Sequence, residues 1–234
     1  MKLKVIVPVV LQRKDFKEEI LKGYKSISRS DVEMDIVSLD QGPESIESKY
    51  DEALSQPGVL EKIQEAEKQS FDACLIDCFG DPALYAAREV VHIPVVGVGQ
   101  SGMLLAAMIG RRFSVITVLD RIIPLIEDNA QVYGVSSKLA SVRSVDIPVL
   151  DLKKDRDLLI QRLIKQAELA IKEDGADVIV LGCTGMAGLA GAVKEGLYKK
   201  ELKVPVIDPV KAAVKFAESL VDLGLSQSLC YVNR

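Results

Sequence analysis

The 234-residue chain is 48% hydrophobic, enough to pack a core as one large domain or two small ones. Its formal net charge of −4 and pI near 5.3 leave no basic surface for nucleic acid or an anionic membrane, and the charges are scattered in mixed sign. Four cysteines, at 74, 78, 183 and 230, are too few for a disulfide framework at this length, which points to a soluble, cytoplasmic protein with reduced thiols.

In chain order, the apolar run at the start holds Pro8 and leads into Gln12-Arg-Lys-Asp-Phe16 with no small-residue cleavage site, so it reads as a first buried strand rather than a leader. Short Val/Ile runs at 3–10, 73–77, 93–98, 113–119, 177–182 and 204–207 predict strands apolar on both faces, as in parallel sheets covered by helices. Amphipathic patterns between them predict helices. Ile20, Leu21, Tyr24 and Ile27 mark one. Val59, Leu60, Ile63 and Ala66 mark a second, with Pro57 near its first turn. Val91 to Gly110 is broken by His92, Pro94, Gln100 and Ser101 and reads as strand, loop and helix, not as a membrane span. Within it, Val98-Gly-Gln-Ser-Gly102 lacks a phosphate-loop lysine and the full dinucleotide glycine pattern, so it reads as a turn. Leu158, Leu159, Leu163, Ala167 and Ala170 mark a long helix, and a last one starts after Asp208-Pro209 and stops at Gly224.

This alternation predicts an α/β fold, and its units repeat. Phe71-Asp-Ala-Cys-Leu-Ile-Asp-Cys78-Phe-Gly-Asp-Pro82 and Ala176-Asp-Val-Ile-Val-Leu-Gly-Cys183-Thr-Gly-Met186 each open a strand with an Asp six residues before a cysteine. Each is followed by a helical stretch and a Pro-Val strand, His92 to Gly97 and Lys203 to Asp208. The opening strand also has a counterpart at Phe113 to Val118. The expected architecture is therefore two pseudo-symmetric lobes, each a mainly parallel sheet flanked by helices, with the active site in the cleft between them. The first lobe is 1–97 plus 208–234 and carries Cys78; the second is 98–207 and carries Cys183.

Ligands of parallel α/β sheets bind beyond the carboxyl ends of the strands, where both cysteines fall. Asp81 with Pro82, and Thr184 before Gly185, are expected to start helices directly behind each thiol, and a helix N-terminus favours the thiolate. Two thiols facing one site can take a proton from one side of a carbon and return it from the other. Cysteine is also a common small core residue, and Cys74, in mid-strand, reads as one; Cys230 has no supporting context. The single histidine, His92, reads as a loop residue, which argues against a Ser/His or Cys/His triad. No cluster has metal-ligand spacing and no lysine stands out for pyridoxal phosphate, so no cofactor and no metal are expected.

These motifs resemble the aspartate/glutamate/hydantoin racemase superfamily. Phe-Gly-Asp-Pro after the first cysteine, Gly-Met after the second, and the segment Arg111 to Asp128 are most similar to its hydantoin and allantoin racemase branch. The resemblance covers about 70 to 210. It implies that Cys78 and Cys183 are the acid/base thiols, that Phe79, Gly80, Thr184 and Gly185 contact substrate, and that Thr117 lines the same cleft. That branch opens with an Asn-Pro-Asn-Thr-Ser-like substrate loop; here Val7-Pro-Val-Val-Leu-Gln12 keeps only Pro8, so the exact substrate is left open. The loop and histidine motifs of glutamate racemases are missing. The expected function is a cofactor-independent racemase or epimerase acting beside a carbonyl, on a 5-substituted hydantoin or related small molecule, in a homo-oligomer that binds neither nucleic acid nor membrane. The alternatives are an amino-acid racemase, a decarboxylase or cis–trans isomerase on the same scaffold, and a two-lobed small-molecule binding protein.

Overall fold

A computed structural model describes residues 1–11, 14–228 and Cys230. Its first half contains β1 (Lys2–Val7), α1 (Lys14–Lys25), β2 (Glu33–Ser38), α2 (Lys49–Lys68), β3 (Ala73–Ile76), α3 (Leu84–Val90) and β4 (Val95–Gly97). The second half contains α4 (Val98–Ile109), β5 (Phe113–Thr117), α5 (Ile123–Val132), β6 (Leu139–Ser144), α6 (Arg156–Lys172), β7 (Val178–Leu181), α7 (Ala190–Tyr198), β8 (Val206–Ile207) and α8 (Pro209–Asp222). Two compact units result: 1–46, 50–98 and 213–234, and 47–49 with 99–212. Among the described residues no helix is long and apolar enough to cross a membrane.

Each unit has one four-stranded, all-parallel sheet, ordered β2-β1-β3-β4 in the first and β6-β5-β7-β8 in the second. β3 and β7 are fully buried along their length, as strands covered on both faces must be. Their cores hold Leu3, Ile6, Leu75 and Ile63 in one unit and Phe113, Ile116, Leu159 and Leu163 in the other.

The repetition extends to individual hydrogen bonds. The Asp72 N–H donates to Lys2 O at 2.9 Å, and the Asp177 N–H to Arg112 O at 2.8 Å. The Cys74 N–H donates to Pro94 O, and the Ile179 N–H to Pro205 O. The Asp77 N–H donates to Ile6 O at 2.8 Å, and the Gly182 N–H to Ile116 O at 2.7 Å. The two Asp residues that open the strands are register clamps: Asp72 accepts the Lys2 N–H, and Asp177 the N–H groups of Arg111 and Arg112. They act at the amino edge of each sheet, away from the cysteines.

Three expectations need correction. The predicted strands do not include β2 and β6. Both are edge strands with a single buried residue, Ile36 and Val142, so neither has the continuous apolar run of a central strand. Helix α2 begins at Lys49, well before Pro57, helped by Asp51 and Glu52 in its first turn. Residues 98–102 are the start of α4, not a turn. Gly102 serves close packing there, since a Cβ would come within 2.8 Å of Pro209 Cβ and 3.2 Å of Val180 Cγ1.

Candidate active site

Each cysteine lies two residues beyond a paired strand position, Ile6↔Ile76 for Cys78 and Ile116↔Leu181 for Cys183. The chain therefore leaves each sheet at its carboxyl edge with the thiol on the first turn. Both cysteines are half-buried. Pro8, buried, leaves β1 at the same level as Cys78 leaves β3.

Behind Cys78 the chain turns tightly. The Asp81 N–H donates to Cys78 O and the Leu84 N–H to Asp81 O, both at 3.2 Å. Asp81 (φ 51°) and Ala83 (φ 61°) are left-handed and flank the buried Pro82. Left-handed backbone cannot join a right-handed helix, so α3 starts at Leu84 rather than at Pro82. Asp81 is not its N-cap; its carboxylate is buried against Gly97, where a Cβ would meet Asp81 Cγ at 2.5 Å and its oxygens at 2.6 and 2.7 Å. Phe79 is 4% exposed, so its ring belongs to the core, while Gly80 is half-buried. Asp77 is also buried, and its Oδ1 accepts the Tyr24 hydroxyl at 2.9 Å.

Behind Cys183 a single 3-10 turn, Thr184–Met186, replaces the expected helix. Cys183 is extended and precedes that turn, with no side-chain cap; Ala187 (ψ 138°) and Gly188 (φ 80°) then break it, and α7 starts only at Ala190. Neither thiol thus stands directly before an α-helix; the peptide groups nearest each belong to tight turns. Thr184 is half-buried and Gly185 exposed. A Cβ at Gly185 would lie 3.5 Å from Cys183 Sγ and 2.7 Å from Leu152 Cδ1, so glycine keeps the thiol's flank clear. Thr117 is fully buried, and its hydroxyl donates to Gly182 O at 3.4 Å. It braces the strand end that carries Cys183.

Asp208, 7% exposed, directly follows β8, and the sequence marks it as a strand end and a helix start. Its Oδ1 accepts the N–H groups of Val210 (3.1 Å) and Lys211 (3.4 Å), a helix cap. Its Oδ2 reaches back to the Gly188 N–H at 2.8 Å, on the cysteine turn. The other cysteines stand apart from this chemistry. Cys74 is fully buried in β3, and burial pushes its thiol up to about 12. Cys230 is exposed near the terminus. His92 lies in the bend before β4, with Nδ1 3.5 Å from Glu67. Among the described residues no three His, Cys, Asp or Glu side chains are grouped to hold a metal ion.

Comparison with known proteins adds four findings of one kind. The Asp/Glu/Hydantoin racemase family model matches residues 14–217. A hydantoin racemase of Pseudomonas sp. (strain NS671) is 46% identical over 228 residues, covering 97% of this chain and 89% of that protein. Among solved structures, allantoin racemase from Klebsiella pneumoniae superposes with a TM-score of 0.89 at 37% identity, covering 100% of this chain and 94% of the other. Allantoin racemase from Pseudomonas fluorescens superposes with a TM-score of 0.91 at 34% identity, covering 100% and 97%.

Proposed function

The chain belongs to the Asp/Glu/hydantoin racemase family, and from that membership we propose a cofactor-independent racemase of a 5-substituted hydantoin, with Cys78 and Cys183 as its two acid/base groups. Allantoin, itself a hydantoin bearing a ureido group at C5, falls within this class. The observation that carries the reading is the equivalence of the thiols: each follows the same inter-strand hydrogen bond, Asp77 N–H to Ile6 O and Gly182 N–H to Ile116 O, in sheets of the same strand order.

The chemistry is general acid–base catalysis by matched groups. One cysteine, as thiolate, takes the proton from C5. The C–H electron pair moves into the adjacent carbonyl, whose oxygen becomes an enolate stabilised by peptide N–H groups of the cysteine turns. The other cysteine, as thiol, gives its proton to the opposite face of C5. Inversion leaves the two thiols in exchanged protonation states, so each cysteine is the base for one enantiomer. Pro8, Gly80, Thr184 and Gly185 are assigned to substrate contact, Phe79 to contact through its backbone alone because its ring is in the core, and Thr117 to support of the Cys183 strand end. The same reading places the enzyme in the cytoplasm, where its thiols stay reduced, as a homo-oligomer that binds neither nucleic acid nor membrane.

Circular dichroism of single-enantiomer 5-substituted hydantoins and of allantoin tests the proposal. The parent is expected to erase the signal, while Cys78→Ala and Cys183→Ala leave it at the buffer rate. Inertness of the parent toward every such ring would reject the substrate class. Retained activity in either variant would reject the thiol pair.

A further inference from the structure

The two cysteine turns share a detail beyond the duplicated sheets. Five residues past each cysteine the backbone is left-handed, at Ala83 (φ 61°) and Gly188 (φ 80°). In each unit a buried carboxylate lies between that turn and the end of the fourth strand, but it comes from opposite sides. In the first unit it is on the turn, as Asp81, and the strand end, Gly97, has no side chain. In the second unit it is on the strand end, as Asp208, and bonds the turn at the Gly188 N–H. Gly97 and Asp208 hold equivalent places, each three residues after the proline that accepts the matched bond from the neighbouring strand, Pro94 and Pro205.

We propose that Asp81 and Asp208 are a pair of positioning residues, each fixing the turn that presents its own cysteine. Asp208, held by N–H groups, cannot shift without leaving a buried charge unsatisfied, and Asp81, packed against the Gly97 backbone, has no room to shift, so the turn each braces is stiff. The left-handed Asp81 and Ala83, on either side of Pro82, are costly conformations that persist only where the surroundings enforce them, and the carboxylate seated on Gly97 supplies that enforcement. Because a Cβ at 97 would fall within 2.5 to 2.7 Å of the Asp81 carboxylate atoms, an aspartate at 97 can fill the same space once Asp81 is gone. Glycine at 81 also relieves the left-handed strain. The first unit can therefore be rebuilt in the manner of the second.

The assignment rests on the two-cysteine reading, so its test uses two independent readouts: racemase turnover, and the iodoacetamide alkylation rate of each cysteine mapped by mass spectrometry. Asp81→Gly is expected to lower kcat about tenfold or more with KM within about twofold, as displaced catalytic groups do, and to change the alkylation rate of Cys78 but not of Cys183. Asp208→Asn should do the reverse, altering Cys183 alone. Gly97→Asp by itself should be the worst variant, since two carboxylates then compete for one space. The double variant Asp81→Gly/Gly97→Asp should restore both kcat and the parent Cys78 rate to within about threefold, whereas steric relief alone would bring it no further than Asp81→Gly. A folded double variant no better than Asp81→Gly would overturn the proposal, as would unchanged Cys78 alkylation in Asp81→Gly. Loss of the thiol reading itself would appear separately, as Cys78→Ala retaining turnover, and would leave the alkylation result to judge Asp81 and Asp208 alone.

Discussion

At the last step before each cysteine, the two units solve one geometric problem with different side chains. The first places Asp77 there, its carboxylate buried against the Tyr24 hydroxyl. The second places Gly182, where a Cβ would come within 2.7 Å of Val115 Cγ1 and 3.0 Å of Ile116 O, and braces its carbonyl with Thr117. Between the first two strands of each sheet the contrast recurs. Lys4, almost fully buried, pairs with Asp35 at 2.6 Å in the first unit, also reaching Gln69 and the Phe71 ring. At the matching register the second unit has two hydroxyls, Ser114 and Ser141, 2.8 Å apart. Backbone bonds and strand order are held constant while polar partners vary, so what the duplication preserves is the position of the sulfur at the strand end.

Gly182 is where the two strand ends differ most in their tolerance of a side chain. Gly182→Ala pushes a methyl group into backbone, and about 2–3 kcal/mol of stability and most of the turnover should be lost, by urea unfolding and racemisation assay. Asp77→Ala, at the matching place, adds no atoms. It should cost about 1–2 kcal/mol through loss of the buried bond from the Tyr24 hydroxyl, and Tyr24→Phe should cost about as much. If alanine at 182 proves milder than alanine at 77, the two strand ends are not packed as described.

A smaller effect separates the strand pairs. Asp35→Asn leaves the Lys4 ammonium buried with weaker partners and should cost about 1–2 kcal/mol, reduced because Asp35 is itself part-exposed. Ser114→Ala should cost about 1 kcal/mol or less. Hydrogen exchange should loosen β2 in the first variant and β6 in the second.

The smallest effect is in acid. Burial raises the Asp35 carboxyl, but the hydrogen bond and charge of Lys4, with Lys17, more than offset this and hold it below its ordinary 3.8. The hydrogen bond from Arg143, aided by Ser141, does the same for Asp174. A depressed carboxylate contributes its stability above the unfolded value and loses it as pH falls through the lower folded one. Stability should thus decline below about pH 4, and Asp35→Asn and Arg143→Gln should each flatten that decline in pH-dependent urea titrations. Unchanged acid limbs in both would show that these pairs carry no linkage.

Much of the fold was legible because buried parallel strands announce themselves. Val178–Leu181 is apolar throughout, and the Asp-to-Cys spacing marks the repeat in the sequence itself. The last helix was equally plain, from Asp208-Pro209 to a left-handed Gly224. Edge strands β2 and β6 were not, since a strand with one buried residue has no period to read. Gly99 and Gly102 made the start of α4 look like a turn because close packing against Pro209, their tertiary reason for Gly102, is invisible in sequence. The cysteine turns were harder still. Asp-Pro reads locally as a helix start, and only Gly97, far along the chain, shows why the Asp81 carboxylate turns inward instead. Asp208 offered a cap signal and hid its second bond, to Gly188.

If Cys78 and Cys183 serve opposite faces of one carbon, as proposed, proton exchange in heavy water reveals it. Each enantiomer of a 5-substituted hydantoin is incubated with Cys78→Ala and with Cys183→Ala, and the C5 proton is followed by NMR against a buffer control. Each variant should fail to racemise yet wash deuterium into one enantiomer without inversion, and the two variants should choose opposite enantiomers. Exchange of the same enantiomer by both, or racemisation by either at the parent rate, would contradict it.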